Sequence, residues 1–337
     1  MNALTTTASL TALFLASVAP ALAEEVNIYS MRQPELIQPL LDRFTQETGI
    51  AVNVAFVDKG VAERLVAEGS RSPADLVLTV DISRLVELQD AGVLQPVSSD
   101  VLKANIPAAY RDPGDLWFGL TTRARVVYAS KDRVQPGDIT TYEDLADPKW
   151  AGRICIRSGL ADYNVALVAA YLLHHGPEAT RTWLEAVKAN LAHRPTGADR
   201  DQVKSIWSGE CDIAVGNTYY IGQMLTDPEQ KDFAEAVRID FPVFENGGTH
   251  MNISGVAMTK AAPDHDAAVK LMEWLASDAA QAIYAEVNHE YPVKPGVALS
   301  PMVAGWGSLT PDTLGLAEIA KARGEAVKLI EDVDFDG

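Results

Sequence analysis

Basic side chains are in short supply in this chain. Its 28 Lys and Arg face 46 Asp and Glu, a formal charge of −18, which argues against a nucleic acid or an anionic membrane surface as partner. A local basic pocket is still compatible with that balance. Cysteine is scarcer: Cys155 and Cys211 stand alone, with no CxxC or HxxxH beside them, so they bring no zinc ligand set. The patterns GxSxG, GxGxxG, Walker A and HExxH are also missing. A secreted enzyme would therefore lack any nucleophile-base motif. His174 and His175, just before Gly176 at a helix end, complement the C-terminal dipole there rather than hold a metal. No repeat, low-complexity tract or Pro-rich linker interrupts the 337 residues.

Residues 1–23 contain no Lys or Arg, leaving the terminal amine as the only positive charge before Glu24. The stretch "LTALFLASVAPALA" is too short to span a membrane and ends in Ala21-Leu22-Ala23, an A-x-A cleavage pattern. We read 1–23 as a secretory signal cut near Ala23, with no Cys at the cut to carry a lipid anchor. In an exported chain an even cysteine count favours a disulfide, Cys155 to Cys211. Closing so long a loop is worth roughly 4 kcal/mol in the chain-entropy model. Such a bond would make "RICIRS" and "CDIAVG" neighbouring strands.

From Glu24 onward, short apolar runs alternate with helical periodicity. "VNIYS", "IAVNVAFV" and "ADLVLTV" read as strands, and "PELIQPLLDRFTQETG", "GVAERLVAEG" and "ISRLVELQDAGV" as helices. That alternation predicts an α/β fold with a parallel-rich sheet. The run "LWFGLTTRARVVYAS" is long enough to cross into a second α/β unit, which holds "TYEDLADPKWAGRICIRSG", "YNVALVAAYLLHHG" and "DQVKSIWSGECDIAVGN". The chain then returns through "ISGVAMTK" and a helix "HDAAVKLMEWLASDAAQAIYAEV". Two lobes joined by extended crossings describe a hinged clamp.

Tyr219 and Tyr220 are adjacent in "GNTYY". Neighbouring side chains diverge in both strands and helices, so both rings meet one target only where the backbone turns. The simpler alternative puts one ring in the core and the other on the surface. Tyr163 begins another helix, after the strand "RICIRS". If the two strands pair, all three phenols lie at one rim of a sheet, where α/β folds bind ligands. Phenolates are hard donors suited to Fe(III), whose charge would ionise groups of pKa near 10. Arg32 and Gln33, or Arg123 and Arg125 on the crossing strand, are candidates to hold an accompanying anion. Solvated or inter-lobe salt bridges are the other reading of those arginines.

The stretches "IYSMRQPELIQPLL", "SPADLVLTVDISRLVELQDAGVLQPV", "YEDLADPKWAGRICIRSG", "GECDIAVGNTYYIGQML" and "GTHMNISGVAMTKAAP" resemble periplasmic ferric-iron-binding proteins of ABC importers. These are the tyrosinate-using members of the type II solute-binding proteins. The resemblance implies a discontinuous two-lobed fold: 24–122 plus 248–298 in the N-terminal lobe, 123–247 plus 299–337 in the C-terminal lobe. It implies Fe(III) held by Tyr163, Tyr219 and Tyr220, with a synergistic anion, carbonate or bicarbonate, against Arg32, Gln33 and Arg123. Some relatives carry "YSxRHY" after the first strand; "YSMRQP" here has Gln33 and Pro34 instead. That departure implies three tyrosinates, not four, with Tyr29 as a strand residue supporting the cleft. It further implies a monomeric, non-enzymatic periplasmic protein delivering iron to an inner-membrane ABC permease. A small organic ligand such as a phosphonate or thiamine is the alternative cargo on the same scaffold.

Overall fold

A computed structural model describes residues 24–57 and 59–337; the signal reading at 1–23 lies outside the described residues. Among them, nine strands form one curled sheet: β1 Glu25–Ser30, β2 Ala51–Phe56, β3 Leu76–Thr79, β4 Trp117–Ser130, β5 Ile154–Cys155, β6 Ile213–Asn217, β7 Val237–Asp240, β8 Met251–Met258 and β9 Tyr291–Pro292. The order is β2-β1-β3-β8-β4-β6-β5, with β7 and β9 both paired to β4.

The first helix, Pro34–Thr48, shows how the pattern becomes structure. Pro34 occupies the first turn, where its missing N–H costs nothing. Leu36, Ile37, Leu40, Leu41 and Phe44 are buried at helical spacing. Gly49 ends the helix in the left-handed region, at φ 77°, donating its N–H to the Thr45 carbonyl. The chain then returns parallel to β1 as β2, and β3 joins the other side of β1, also parallel.

The rest of the sheet departs from the parallel-rich expectation. β3–β8, β8–β4 and β4–β6 are all antiparallel. Only β5–β6 repeats the parallel pairing. β4 and β8 are long strands running back along their neighbours, which needs no crossover helix.

β4 is the organising strand, 14 residues long and buried throughout. Residues 117–124 pair with β8, while Arg125–Ala129 pair with β6 and Val127–Ser130 with β7. Its two halves therefore serve different cores. On the β1 side, Ile28, Leu76, Leu78 and Val256 face one apolar cluster while Tyr29, Val77 and Ala257 face another. On the β6 side, Val127, Ala129, Ile213 and Val215 face one cluster while Val126, Tyr128 and Ala214 face the opposite one. This period-two alternation is what a sheet covered on both faces requires.

One helical expectation changes. The stretch 265–287 is two helices, His265–Leu275 and Asp278–Val287, because the Ser277 hydroxyl accepts from Ala280 N–H and caps the second. "TYEDLADPKW" forms two 3₁₀ turns, with Asp147 capping the second and Pro148 opening it. The helix Leu316–Asp332 is a further element. Leu316 and Ala320 pack in the cluster containing Leu85 and Val86, and Leu329 and Ile330 in the one containing Val165 and Ile213. Cys155 and Cys211 are disulfide-bonded, with Cα atoms 5.8 Å apart across 56 positions. β5 and β6 are neighbours, as the cysteine pair implies.

Candidate metal centre

Tyr163 sits in the first turn of the helix Asp162–His175, just after β5, and Tyr219 and Tyr220 in the first turn of Thr218–Thr226, directly after β6. Because β5 and β6 are parallel neighbours, both helix starts emerge at the same rim. The bend that lets two adjacent tyrosines share a target is thus a strand-to-helix junction at Asn217, not a loop. Gly216 is not a turn residue either. It belongs to β6, and a Cβ there would lie 2.2 Å from the Tyr128 ring. Tyr128 in turn donates its hydroxyl to the Asn217 carbonyl.

The three phenols converge. The Tyr219 hydroxyl lies 3.4 Å from that of Tyr163, and the Tyr219 and Tyr220 rings are 4.2 Å apart, tilted by 39°. Burial, then the neighbouring Tyr163 and Tyr220, pushes the Tyr219 phenol well above its ordinary range. Burial, Tyr163 and the Asp199 carboxylate push Tyr220 up as well. Without a metal both are neutral at physiological pH, and only a strong local cation would ionise them together.

Tyr163, Tyr219, Tyr220, Arg32, Gln33 and Arg123 all line a single cavity of about 280 Å³. The two arginines differ in what they have left to offer. Arg32 Nη2 is spent on Glu290, at 3.0 and 2.8 Å to its two oxygens, and on Ser254. Arg123 Nη1 donates to Ser254 Oγ at 2.8 Å, while its buried Nε and Nη2 find no partner among the described residues. A buried guanidinium with unused N–H groups is a site for an anion. Gln33 is exposed at the start of the first helix and bonds nothing there as a cap.

Arg125, the other arginine on that strand face, is absent from the cavity. It is bonded to Asp199, Asn164 and Asn217. Tyr29 is in β1, but its hydroxyl donates to Glu68 at 2.8 Å and Arg64 covers its ring, away from the cavity. His174 and His175 lie at their helix end, partnered by Asp312 at 2.8 Å and Glu143 at 2.6 Å. No group of three or more His, Cys, Asp or Glu able to hold a metal occurs among the described residues.

Among the cavity residues that escape the sequence reading, five are charged: Asp81, Arg84, Arg157, Asp162 and Glu290. Arg157 follows β5 at the same rim, so the strand-end rule that singles out Tyr163 could have found it. Glu290 had no local signal; it is buried, and accepts from Thr121 at 2.8 Å as well as from Arg32. Arg84 reaches across to Asp162, at 2.9 Å, beside Tyr163. Together the cavity offers three phenols, unpaired guanidinium N–H groups and three carboxylates, of which Asp162 and Glu290 are already in ion pairs and Asp81 is hydrogen-bonded. That set suits a hard, highly charged cation together with a small anion.

The model of the bacterial extracellular solute-binding protein family matches residues 30–282. The chain is 43% identical over 322 residues to iron uptake protein A1 of Synechocystis, covering 94% of this chain and 89% of that one. It resembles the crystal structure of apo ferric ion-binding protein A from Pasteurella haemolytica at TM-score 0.90 and 53% identity, over 94% of this chain and 99% of that one. It also resembles a Trichodesmium protein solved in complex with iron and citrate ligands, at TM-score 0.87 and 40% identity, over 92% and 99% of the two chains. The match extends over most of the chain and includes both strand-to-helix junctions that bear the tyrosines: the chain belongs to the bacterial extracellular solute-binding protein family.

Proposed function

We propose that the protein captures Fe(III) in the periplasm and delivers it to an inner-membrane ABC permease. The observation that carries this reading is the convergence of three phenols and the unused N–H groups of Arg123 on one cavity. Tyr163, Tyr219 and Tyr220 ionise onto the metal and hold it. A carbonate or bicarbonate completes the shell, taken first by Arg123, with Arg32 and Gln33 beside it. The lobes 24–122 plus 248–298 and 123–247 plus 299–337 close over the cargo about β4 and β8. Release follows loss of the anion, protonation of a phenolate or reduction of the iron. The protein acts as a monomer and carries out no chemistry on its cargo.

A phosphonate would account for the basic wall, and thiamine, itself a cation, would not; either would leave three converging phenols without a role. Ferric loading of the metal-free protein in bicarbonate should develop a visible phenolate-to-iron charge-transfer band that citrate and acid bleach. A colourless protein after loading sinks the reading.

A further inference from the structure

We propose that the buried Arg125–Asp199 pair is a positioning device that holds the two tyrosine-bearing helix starts at one separation. The proposal rests on the iron-binding reading for its purpose, though not for its test. Arg125 lies on β4 and does not line the cavity. Its Nη1 donates to Asp199 Oδ2 at 2.5 Å and to Asn217 Oδ1 at 3.1 Å, and its Nη2 donates to Asn164 Oδ1 at 2.6 Å. Asn164 follows Tyr163, and Asn217 stands two residues before Tyr219. A single planar fork therefore bonds both junctions at once.

Asp199 closes the arrangement from below. Its Oδ2 also accepts the Asn217 backbone N–H at 3.0 Å, and its Oδ1 accepts from Arg157 at 3.3 Å. Asn164 then donates to the carbonyls of Arg157 and Ser158, at 3.1 and 3.0 Å, pinning the turn before Tyr163. Arg125 and Asp199 are 2% and 0% exposed. A buried ion pair adds little to folding that a well-packed apolar pair would not. What an apolar pair lacks is direction: only the rigid guanidinium fork fixes the spacing of two separate backbones. Three phenols must meet within one coordination shell, so an error in that spacing weakens the site directly.

Two variants separate positioning from simple core filling. Arg125→Met with Asp199→Leu removes both charges of the buried pair together, and also frees the partly exposed Arg157 from Asp199. Asn164→Ala cuts the arm of the fork that reaches Tyr163 together with Asn164's own bonds to the Arg157 and Ser158 carbonyls, and leaves the Asn217 arm intact. Each is checked for folding by its thermal midpoint. Amide exchange is then measured on the metal-free protein, and ferric affinity in bicarbonate buffer. The double variant should show exchange at least about tenfold faster in both 160–166 and 217–222 with β1–β3 unchanged, and ferric affinity roughly 10- to 100-fold lower, as for other supporting groups of metal sites. Asn164→Ala should loosen 160–166 alone. Wild-type exchange at both junctions, or undiminished ferric affinity in a folded double variant, overturns the proposal. If the wild-type protein takes up no iron, the function proposed above fails, while the exchange measurement still decides the positioning claim.

Discussion

The two walls of the cavity are built on opposite electrostatic plans. The tyrosine wall presents phenols, with Tyr219 and Tyr220 raised in pKa by burial and by their neighbours, over a hydrogen-bonded base of Arg125, Asp199, Asn164 and Asn217. The facing wall is ionic, and its charge is already compensated: Arg32 is paired with Glu290, which also accepts from Thr121. Between them Arg123 keeps two buried N–H donors unused. The difference teaches a division of labour. On the proposed function, one wall holds ligands that become anions only when a cation arrives. The other supplies cationic character whose availability is limited by an internal carboxylate.

The strongest way to break this comparison is to remove a ligand from the tyrosine wall. Tyr219→Phe or Tyr220→Phe should abolish or shift the ferric charge-transfer band. The affinity loss should exceed the roughly 100-fold that changes to supporting groups cost metal sites. A band and affinity like those of the wild type would reassign the tyrosines to the core. Next comes the anion. Arg123→Gln should lower ferric affinity roughly 10- to 100-fold and flatten its dependence on bicarbonate, as titration at several bicarbonate concentrations would reveal. Glu290→Gln works in the opposite direction. It frees Arg32 and removes a negative charge beside the anion, so half-saturation should need roughly tenfold less bicarbonate, worth about 1.4 kcal/mol. If the walls were independent, that midpoint would not move.

The last effect, on stability rather than on iron or anion binding, concerns His250, where the chain passes toward β8. Its ring is buried with neither nitrogen partnered. Burial holds its pKa down to about 3, with Asp312 opposing and Arg125 and Arg123 reinforcing the shift. The unfolded chain therefore binds the proton more readily, with a pKa near 6.5. Stability is unaffected above that value and is lost as pH falls from about 6.5 toward 3, by at most about 1.4 kcal/mol per unit. Replacing His250 with Leu should flatten that part of the denaturation profile; an unaltered slope would place the acid sensitivity elsewhere.

Much of the site is legible in the chain. Tyr163 and the Tyr219-Tyr220 pair follow short β-rich runs that each carry a cysteine, and the cysteines indicate that those runs lie side by side. The strands β1, β2 and β3 and their helices show clear periodicity, so their existence follows from local pattern. The mixed direction of the sheet does not, because pairing partners far apart in sequence leave no local trace. Glu290 is equally silent: a lone carboxylate in "NHEYP" becomes part of the cavity only when β9 pairs with β4 at Thr121 and Thr122.

Arg123 and Arg125 draw the boundary most clearly. The sequence by itself determined that both lie on one face of one strand, since they are two residues apart. It also determined that the phenols sit at strand ends and that the cysteines are positioned to join neighbouring runs. Only the tertiary structure decided which arginine faces the cavity. Between these two positions β4 changes partner, Arg123 lying opposite Asn252 of β8 and Arg125 opposite Asn217 of β6. Identical side chains on the same face thus enter different surroundings. Among the described residues one leaves two nitrogens without a partner, and the other spends both terminal nitrogens on Asp199, Asn164 and Asn217 beside the tyrosines.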